Sequence, residues 1–247
     1  MNPKEKVVVV TGSSRGIGLA ITERLLSEGY YVATCSRGRT PAIATLETLH
    51  ASRFTWFQCH VGDQASEEEF MTSVRKWRNG MYLWGMVNNA GLAGEGVLAT
   101  FPNVDSERII QVNLCGTLRL TRLALRQMLR QTEGARIVNI TSIIASRGYT
   151  GLAAYAASKA AIEGLTRSLA REVGRLKVTV NSVAPGYVET EMSRSLSEKQ
   201  RKQIVDRTPL GALARVEDVA AVVAFLLTTD ARFVTGQTVT VDGGITC

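Results

Sequence analysis

No two of the four cysteines, Cys35, Cys59, Cys115 and Cys247, form a C-x-x-C pair or any metal-ligand spacing. That excludes a zinc finger or ribbon and a disulfide scaffold, and it reads as reduced thiols in a cytoplasmic protein. Cys59 and His60 adjoin, but adjacent residues give poor geometry for one ion, so no metal is expected. There is no long apolar run near the start. Residues 7–10 are four valines, too short for a signal-peptide core or a membrane span. Lysine is scarce, seven against 22 arginines, and the net charge is +7. Such an excess fits an acidic partner or a phosphorylated ligand, and it equally fits a solvated arginine-rich surface. No basic tail, zinc-finger spacing or aromatic RNA-binding signature is present, so nucleic acid is not an expected partner. Internal repeats, low-complexity tracts and linkers are also missing, and 247 residues make one α/β domain the economical reading.

What the chain does have is alternation. Apolar runs at "KVVVVTG" (6–12), "YYVATCSR" (30–37), "FTWFQCHV" (54–61), "LWGMVNNAG" (83–91), "ARIVNITS" (135–142), "VTVNSVAPG" (178–186) and "TVTVDGG" (238–244) read as strands. Helical patterns lie between most of them: 18–29, 40–50, 66–77, a long helix over 103–131, 152–175 and 216–227. Residues 188–208 read as a polar, mobile stretch. Strands and helices alternating at this spacing imply right-handed crossovers. The expected fold is α/β: a three-layer, doubly wound parallel sheet (Rossmann fold) of about seven strands.

The first strand runs into "TGSSRGIG", with Gly12, Gly16 and Gly18 just where a helix begins. In that context glycines allow the tight turn, the close approach of a pyrophosphate and close strand–helix packing. The helix N-terminus offers free N–H groups to phosphates. An NAD site usually ends its second strand with an acid that holds the ribose hydroxyls. Here that strand ends "CSRGR", with Arg37 and Arg39 and no carboxylate. A guanidinium binds a 2′-phosphate that a carboxylate would repel, and Arg15 in the loop is close enough to join it. The cofactor expected is NADP(H).

"GLAAYAASKAAIEG" (151–164) puts Tyr155 and Lys159 one helical turn apart on one face. Six tyrosines and seven lysines in this chain give about 0.2 such pairs by chance, so the pair alone carries little weight. A core tyrosine with a snorkelling lysine is the plain alternative. Ser142, thirteen residues upstream, falls at a strand's C-terminal end, where open α/β sheets bind ligands. By itself it also suits a turn cap, and Asn113 by itself suits a helix hydrogen bond. Four residues converging on one edge favour a site.

With these motifs together the chain resembles the short-chain dehydrogenase/reductase family along its whole length: "TGSSRGIG", "NNAG", Asn113 in "QVNL", Ser142 in "NITS", "YAASK", "APGYVETEM" and "VTGQTVTVDGG". Within it the chain is most similar to 3-oxoacyl-[acyl-carrier-protein] reductases, through "AREV", "VNSVAPGYVETEM" and "TPLG". The resemblance implies hydride transfer to a ketone, with Tyr155 as proton donor and Ser142 holding the carbonyl oxygen. Lys159 would lower the phenol's pKa and hold the nicotinamide ribose, and Asn113 would anchor a relay water. It further implies cofactor contacts from Gly12, Ser14, Arg15, Gly16, Ile17, Gly18, Arg37, His60, Val61, Asn88, Ala90, Gly91, Tyr155, Lys159, Pro185, Gly186, Val188 and Thr190. Of these, Asn88, Ala90 and Gly91 would lie near the adenine ribose and the last four by the nicotinamide, with 188–208 as substrate lid.

The chain departs from the family at "HVGD", where His60 stands for the usual aspartate and Asp63 remains. Arg130, Arg136, Arg175 and Lys177 would supply the basic mouth at which an acidic carrier protein docks. The arginine stripe 119, 122, 126, 130 reads as a solvated face, or, by resemblance, as a subunit interface in a homotetramer. The implied activity is NADPH-dependent reduction of a 3-oxoacyl thioester in fatty-acid or polyketide/polyene synthesis. Acetoacetyl-coenzyme A, a free ketone or an alcohol is the alternative substrate, and a non-catalytic nucleotide-binding subunit is the alternative from another class.

Overall fold

The computed structural model describes residues 6–189 and 197–247. Its centre is one parallel sheet of β1 (Lys6–Thr11), β2 (Tyr31–Ser36), β3 (Phe54–Gln58), β4 (Tyr82–Asn88), β5 (Ala135–Ile140), β6 (Val178–Pro185) and β7 (Thr238–Val241). The strand order is β3-β2-β1-β4-β5-β6-β7. This is the Rossmann-like α/β fold, and the expected seven strands are present. The order reverses between β1 and β4, so the loops leaving those two strands diverge and open a crevice at the C-terminal edge.

The valines of β1 show how the sequence specifies three layers. Side chains alternate across a strand. Val8 and Val10 pack into one core, against Ile21 and Leu25 of α1 (Gly16–Ser27) and Val223 and Leu227 of α9 (Val216–Leu227). Val7 and Val9 enter the other, with Phe70 of α3 (Gln64–Trp77), Leu120 of α5 (Thr117–Met128) and Val173 of α7 (Ala153–Val173). All four valines are fully buried, which is why the run is continuous rather than alternating in polarity. The remaining helices are α2 (Pro41–Leu49), α4 (Asn103–Ile110), α6 (Ile144–Arg147) and α8 (Glu198–Arg207).

Two expectations about secondary structure are corrected. The long helix over 103–131 is not one α-helix: α4 and α5 are joined by a π-helix at Gln111–Gly116. Of the stretch 188–208, residues 190–196 lie outside the described residues, and Glu198–Arg207 form α8, started by a reciprocal cap in which Gln200 N–H donates to Ser197 Oγ and the Ser197 N–H donates to Gln200 Oε1.

The N-terminal edge of the sheet corrects a third expectation. Arg136 is buried at the start of β5, stacked over Trp84 at 4.6 Å, with Lys6 on the same ring at 3.6 Å. It donates to the Thr228 carbonyl. Burial, then the neighbouring Arg136 charge, lowers the Lys6 ammonium. Arg136 therefore holds strand ends together and has no surface to offer a partner. Arg130 and Arg175 are exposed, but they follow α5 and α7 at this same edge, beside the first residues of β4, β5 and β6. A carrier protein docked on them would not sit at the mouth of the site in the same chain.

Candidate active site

Every described residue expected in the site lies at the opposite, C-terminal edge. Gly12 follows β1, Arg37 follows β2, and His60 and Val61 follow β3. Asn88 ends β4, with Ala90 and Gly91 in its exit loop. Ser142 stands two residues past β5. Pro185 ends β6, Gly186 follows, and Val188 bridges to Ala214. Thr190 lies outside the described residues.

The glycine loop is built to hold something that packs against backbone. Gly12 has φ +70, and a Cβ there would come within 2.9 Å of Ala90 Cα. A Cβ on Gly18 would lie 2.2 Å from the Gly12 carbonyl oxygen. Asn89, which sequence reasoning passed over, stitches the two loops. Its Nδ2 donates to the carbonyls of Thr11 and Gly12 at 2.9 and 3.0 Å, and Thr11 Oγ1 accepts from the N–H groups of Asn89 and Ala90. Arg15 is the N-cap of α1, and its side chain does not cap, so the N–H groups of Gly16, Ile17 and Gly18 open the helix toward the crevice. Ser13 Oγ is buried in this loop and has no partner among the described residues. An orphaned hydroxyl, a glycine cradle and an uncapped helix start fit the pyrophosphate of a dinucleotide. Ser14 meets α2 through its carbonyl, which accepts from Thr40 Oγ1.

Around the expected 2′-phosphate position the two arginines differ. Arg39 pairs with Glu47 on α2 at 2.6 Å. Arg37 is exposed, and its loop is braced by Gln58 Nε2 donating to the Arg37 carbonyl and by Ser36 Oγ donating to Gly38. His60 is exposed while Cys59 is buried, so the two side chains do not share a site. Asp63 caps α3 by accepting from the Ser66 N–H. The loop at Gly62 is held by Glu67, whose Oε1 accepts from Gly62 N–H at 2.7 Å. Glu67 is fully buried and its partner is Arg119, so the first arginine of the α5 stripe braces the fold instead of facing water. Asn88 uses its amide donor on Thr121 and Asn139, and among the described residues its Oδ1 has no partner.

The residues expected to react converge where β5, β4 and α7 meet. Lys159 Nζ is buried and donates to the Ile140 carbonyl at 2.8 Å. Asn113, in the π-helix, donates to Leu92 O and Ser158 Oγ and accepts from the Leu92 N–H. A Cβ on Gly91 would lie 3.3 Å from Asn113 Oδ1 and 3.4 Å from Lys159 Nζ, so the three border one space. Ser142 Oγ accepts from the Ile144 N–H at the start of the short helix α6. Burial raises the Tyr155 phenol, and the neighbouring Ser142 hydroxyl partly offsets that rise. Burial pushes Lys159 down to about 8. The expected depression of the phenol by Lys159 is absent: the ammonium is aimed at Ile140 O and lies 5.8 Å from the ring centroid. At neutral pH this site holds a protonated phenol, the form that gives a proton away.

Comparison with known proteins gives the same reading. A family described as enoyl-(acyl carrier protein) reductase matches residues 12–246. The 3-oxoacyl-[acyl-carrier-protein] reductase of Escherichia coli is 38% identical over 245 residues, covering 99% of both chains. That of Pseudomonas aeruginosa is 39% identical over 247 residues, again 99% of each. That of Staphylococcus aureus is 36% identical over 243 residues, 97% of this chain and 98% of the other. The chain belongs to the short-chain dehydrogenase/reductase family, oxidoreductases that act on CH–OH and C=O groups with an NAD(P)(H) cofactor.

Proposed function

We propose that this protein is an NADPH-dependent reductase of 3-oxoacyl thioesters carried on an acyl carrier protein, giving the 3-hydroxyacyl product for fatty-acid or related polyketide or polyene synthesis. The observation that carries the reading is the Tyr155 phenol beside the Ser142 hydroxyl, with buried Lys159 one turn behind it and held by Ile140 O. The bound cofactor supplies the hydride. Tyr155 donates its hydroxyl proton to the carbonyl oxygen, and Ser142 hydrogen-bonds the same oxygen as charge develops there. Lys159, held by Ile140 O, refills the phenol's proton through the space it shares with Asn113 and Gly91. Asn113 anchors the water in that relay, and Lys159 also binds the nicotinamide ribose.

NADPH is favoured over NADH because β2 exits into Arg37 with no carboxylate in "CSRGR". The relatives' names supply the carrier-bound substrate. By the same likeness we place the enzyme in the cytoplasm as a homotetramer, with the whole chain as one reductase domain and 188–208 as its substrate lid. Among the described residues no helix is long and apolar enough to cross a membrane.

The test is NADPH oxidation by the pure protein with a 3-oxoacyl carrier protein, beside acetoacetyl-coenzyme A at matched concentration. Strong preference for the carrier form supports the reading. Comparable activity on both moves the substrate to coenzyme A thioesters, and inactivity on both moves it to free ketones and alcohols.

A further inference from the structure

At the substrate side of the mouth lies an open cleft of about 410 Å³, lined by Ser146, Arg147, Arg207 and residues 245–247. Its walls come from three parts of the chain. Arg147 ends α6, five residues after Ser142, and Ile143 N–H ties the start of that segment to the Pro185 carbonyl of β6. Arg207 ends α8. The chain just after α8 is fastened to the last loop by the Leu210 N–H, which donates to the Gly243 carbonyl. Tyr187, two residues beyond Pro185, is the link between the walls. Burial, then Tyr149, raises its phenol, and the charges of Arg147 and Arg207 partly offset that rise.

Both guanidiniums are exposed, and among the described residues neither has an ion-pair partner. The carboxylates close by in sequence are already occupied. Glu189 pairs with Arg201, and Asp206 pairs with Lys202 at 2.7 Å. Asp242 accepts from the N–H groups of Gly244 and Thr246 and from the Thr246 hydroxyl. Two like charges brought from separate elements to one cleft repel each other, and among the described residues neither is held in an ion pair. An anion taken between them relieves that cost, and a phosphate suits guanidinium donors best because it accepts two parallel N–H bonds.

We propose that Arg147 and Arg207 form the subsite for the phosphate of a phosphopantetheine-linked thioester, seating the arm while its acyl end reaches Ser142 and Tyr155. The inference rests on the thioester reading above for its choice of phosphate. A neutral free ketone has no use for two guanidiniums without ion-pair partners at the rim. The same phosphate is present on an acyl carrier protein and on coenzyme A, so the subsite serves both.

The test uses the full chain saturated with NADP⁺, so that no probe competes for the dinucleotide crevice. Phosphopantetheine and pantetheine are titrated by calorimetry into the wild type and the R147Q/R207Q variant, with the thermal midpoint of the variant as a check on folding. The wild type is expected to bind phosphopantetheine at least about tenfold more tightly than pantetheine, and the variant to lose that difference. In turnover, the ratio of KM for acetoacetyl-coenzyme A to KM for the uncharged N-acetylcysteamine thioester is expected to rise about tenfold in the variant, with the carrier-bound substrate affected alike. Equal affinity for the two probes in the wild type, or a preference that persists in the variant, overturns the subsite. So does an effect confined to the carrier-bound substrate, which would mean docking of the carrier's own surface. A phosphate preference that depends on both arginines, in a protein that turns over no thioester, leaves the subsite standing and refutes the substrate reading instead.

Discussion

The Lys159 ammonium donates to the main-chain carbonyl of Ile140, 2.8 Å away and two residues before Ser142. One bond thus ties the α7 helix, which carries Tyr155, to the exit of β5.

That burial gives a stability prediction with a definite sign. The folded Lys159 titrates at about 8, against 10.5 for the ordinary side chain. Below about pH 8 both states hold the proton, and the folded state bears the whole penalty of a buried charge. Between about 8 and 10.5 the unfolded chain holds the proton that the folded chain has released, so stability rises with pH across that window. The difference in unfolding free energy between wild type and Lys159→Met, measured in urea, should grow by about 3 kcal/mol over that range. A flat difference would mean the ammonium is not desolvated.

Tyr155→Phe keeps the ring and removes the hydroxyl proton. Turnover should fall by about two to four orders of magnitude, while the affinity for NADPH, read by fluorescence quenching, should change less than about threefold. Turnover near wild type would remove Tyr155 from the role of donor.

Arg37 and Arg39 sit two residues apart but are not equivalent, because Glu47 already occupies Arg39. Arg37→Asp should move the NADPH/NADH ratio of kcat/KM toward NADH by about tenfold or more, and Arg39→Asp by much less. Equal shifts would relocate the 2′-phosphate.

The loop after β3 hangs on Glu67, fully buried between Gly62 N–H and Arg119. Glu67→Ala leaves a partly buried guanidinium and a backbone donor without partners, and should cost about 3 kcal/mol of stability. Chemical denaturation at neutral pH reads it directly. A cost below about 0.5 kcal/mol would show the pair to be dispensable.

Gly18→Ala tests the cradle. The new methyl would collide with the Gly12 carbonyl at 2.2 Å, and that neighbour is backbone with little room to yield. Cofactor affinity should drop about tenfold or more, together with a lower thermal midpoint.

The sheet, the crevice and most positions at its edge were legible in the sequence because their signals are local. The valine run, the glycine turn and the helix start stand side by side in the chain, and each narrows what the others can be. Arg136 was not legible. Nothing next to it says that Trp84 and Lys6 will meet it from other strands, so a buried arginine read as a docking one. Asn89 was hidden for the same reason, since its partners Thr11 and Gly12 lie more than seventy residues away. The α8 cap, by contrast, was written plainly as Ser197 and Gln200 three residues apart, inside a stretch judged by its polarity alone.

The π-helix between α4 and α5 turns one rod into two faces. A wider turn slips the side-chain pattern, so residues before it and after it no longer point the same way. The α4 part leans on α7, next to the reacting tyrosine, while the α5 part leans on β4 and α3. Removing one residue from Gln111–Gly116 would straighten the rod into a single phase. Either Asn113 would then swing away from Ser158 and Leu92, or Arg119 would swing away from Glu67. A shortening by one residue, harmless in most surface helices, would here uncouple the Asn113 contacts from the brace of the loop after β3.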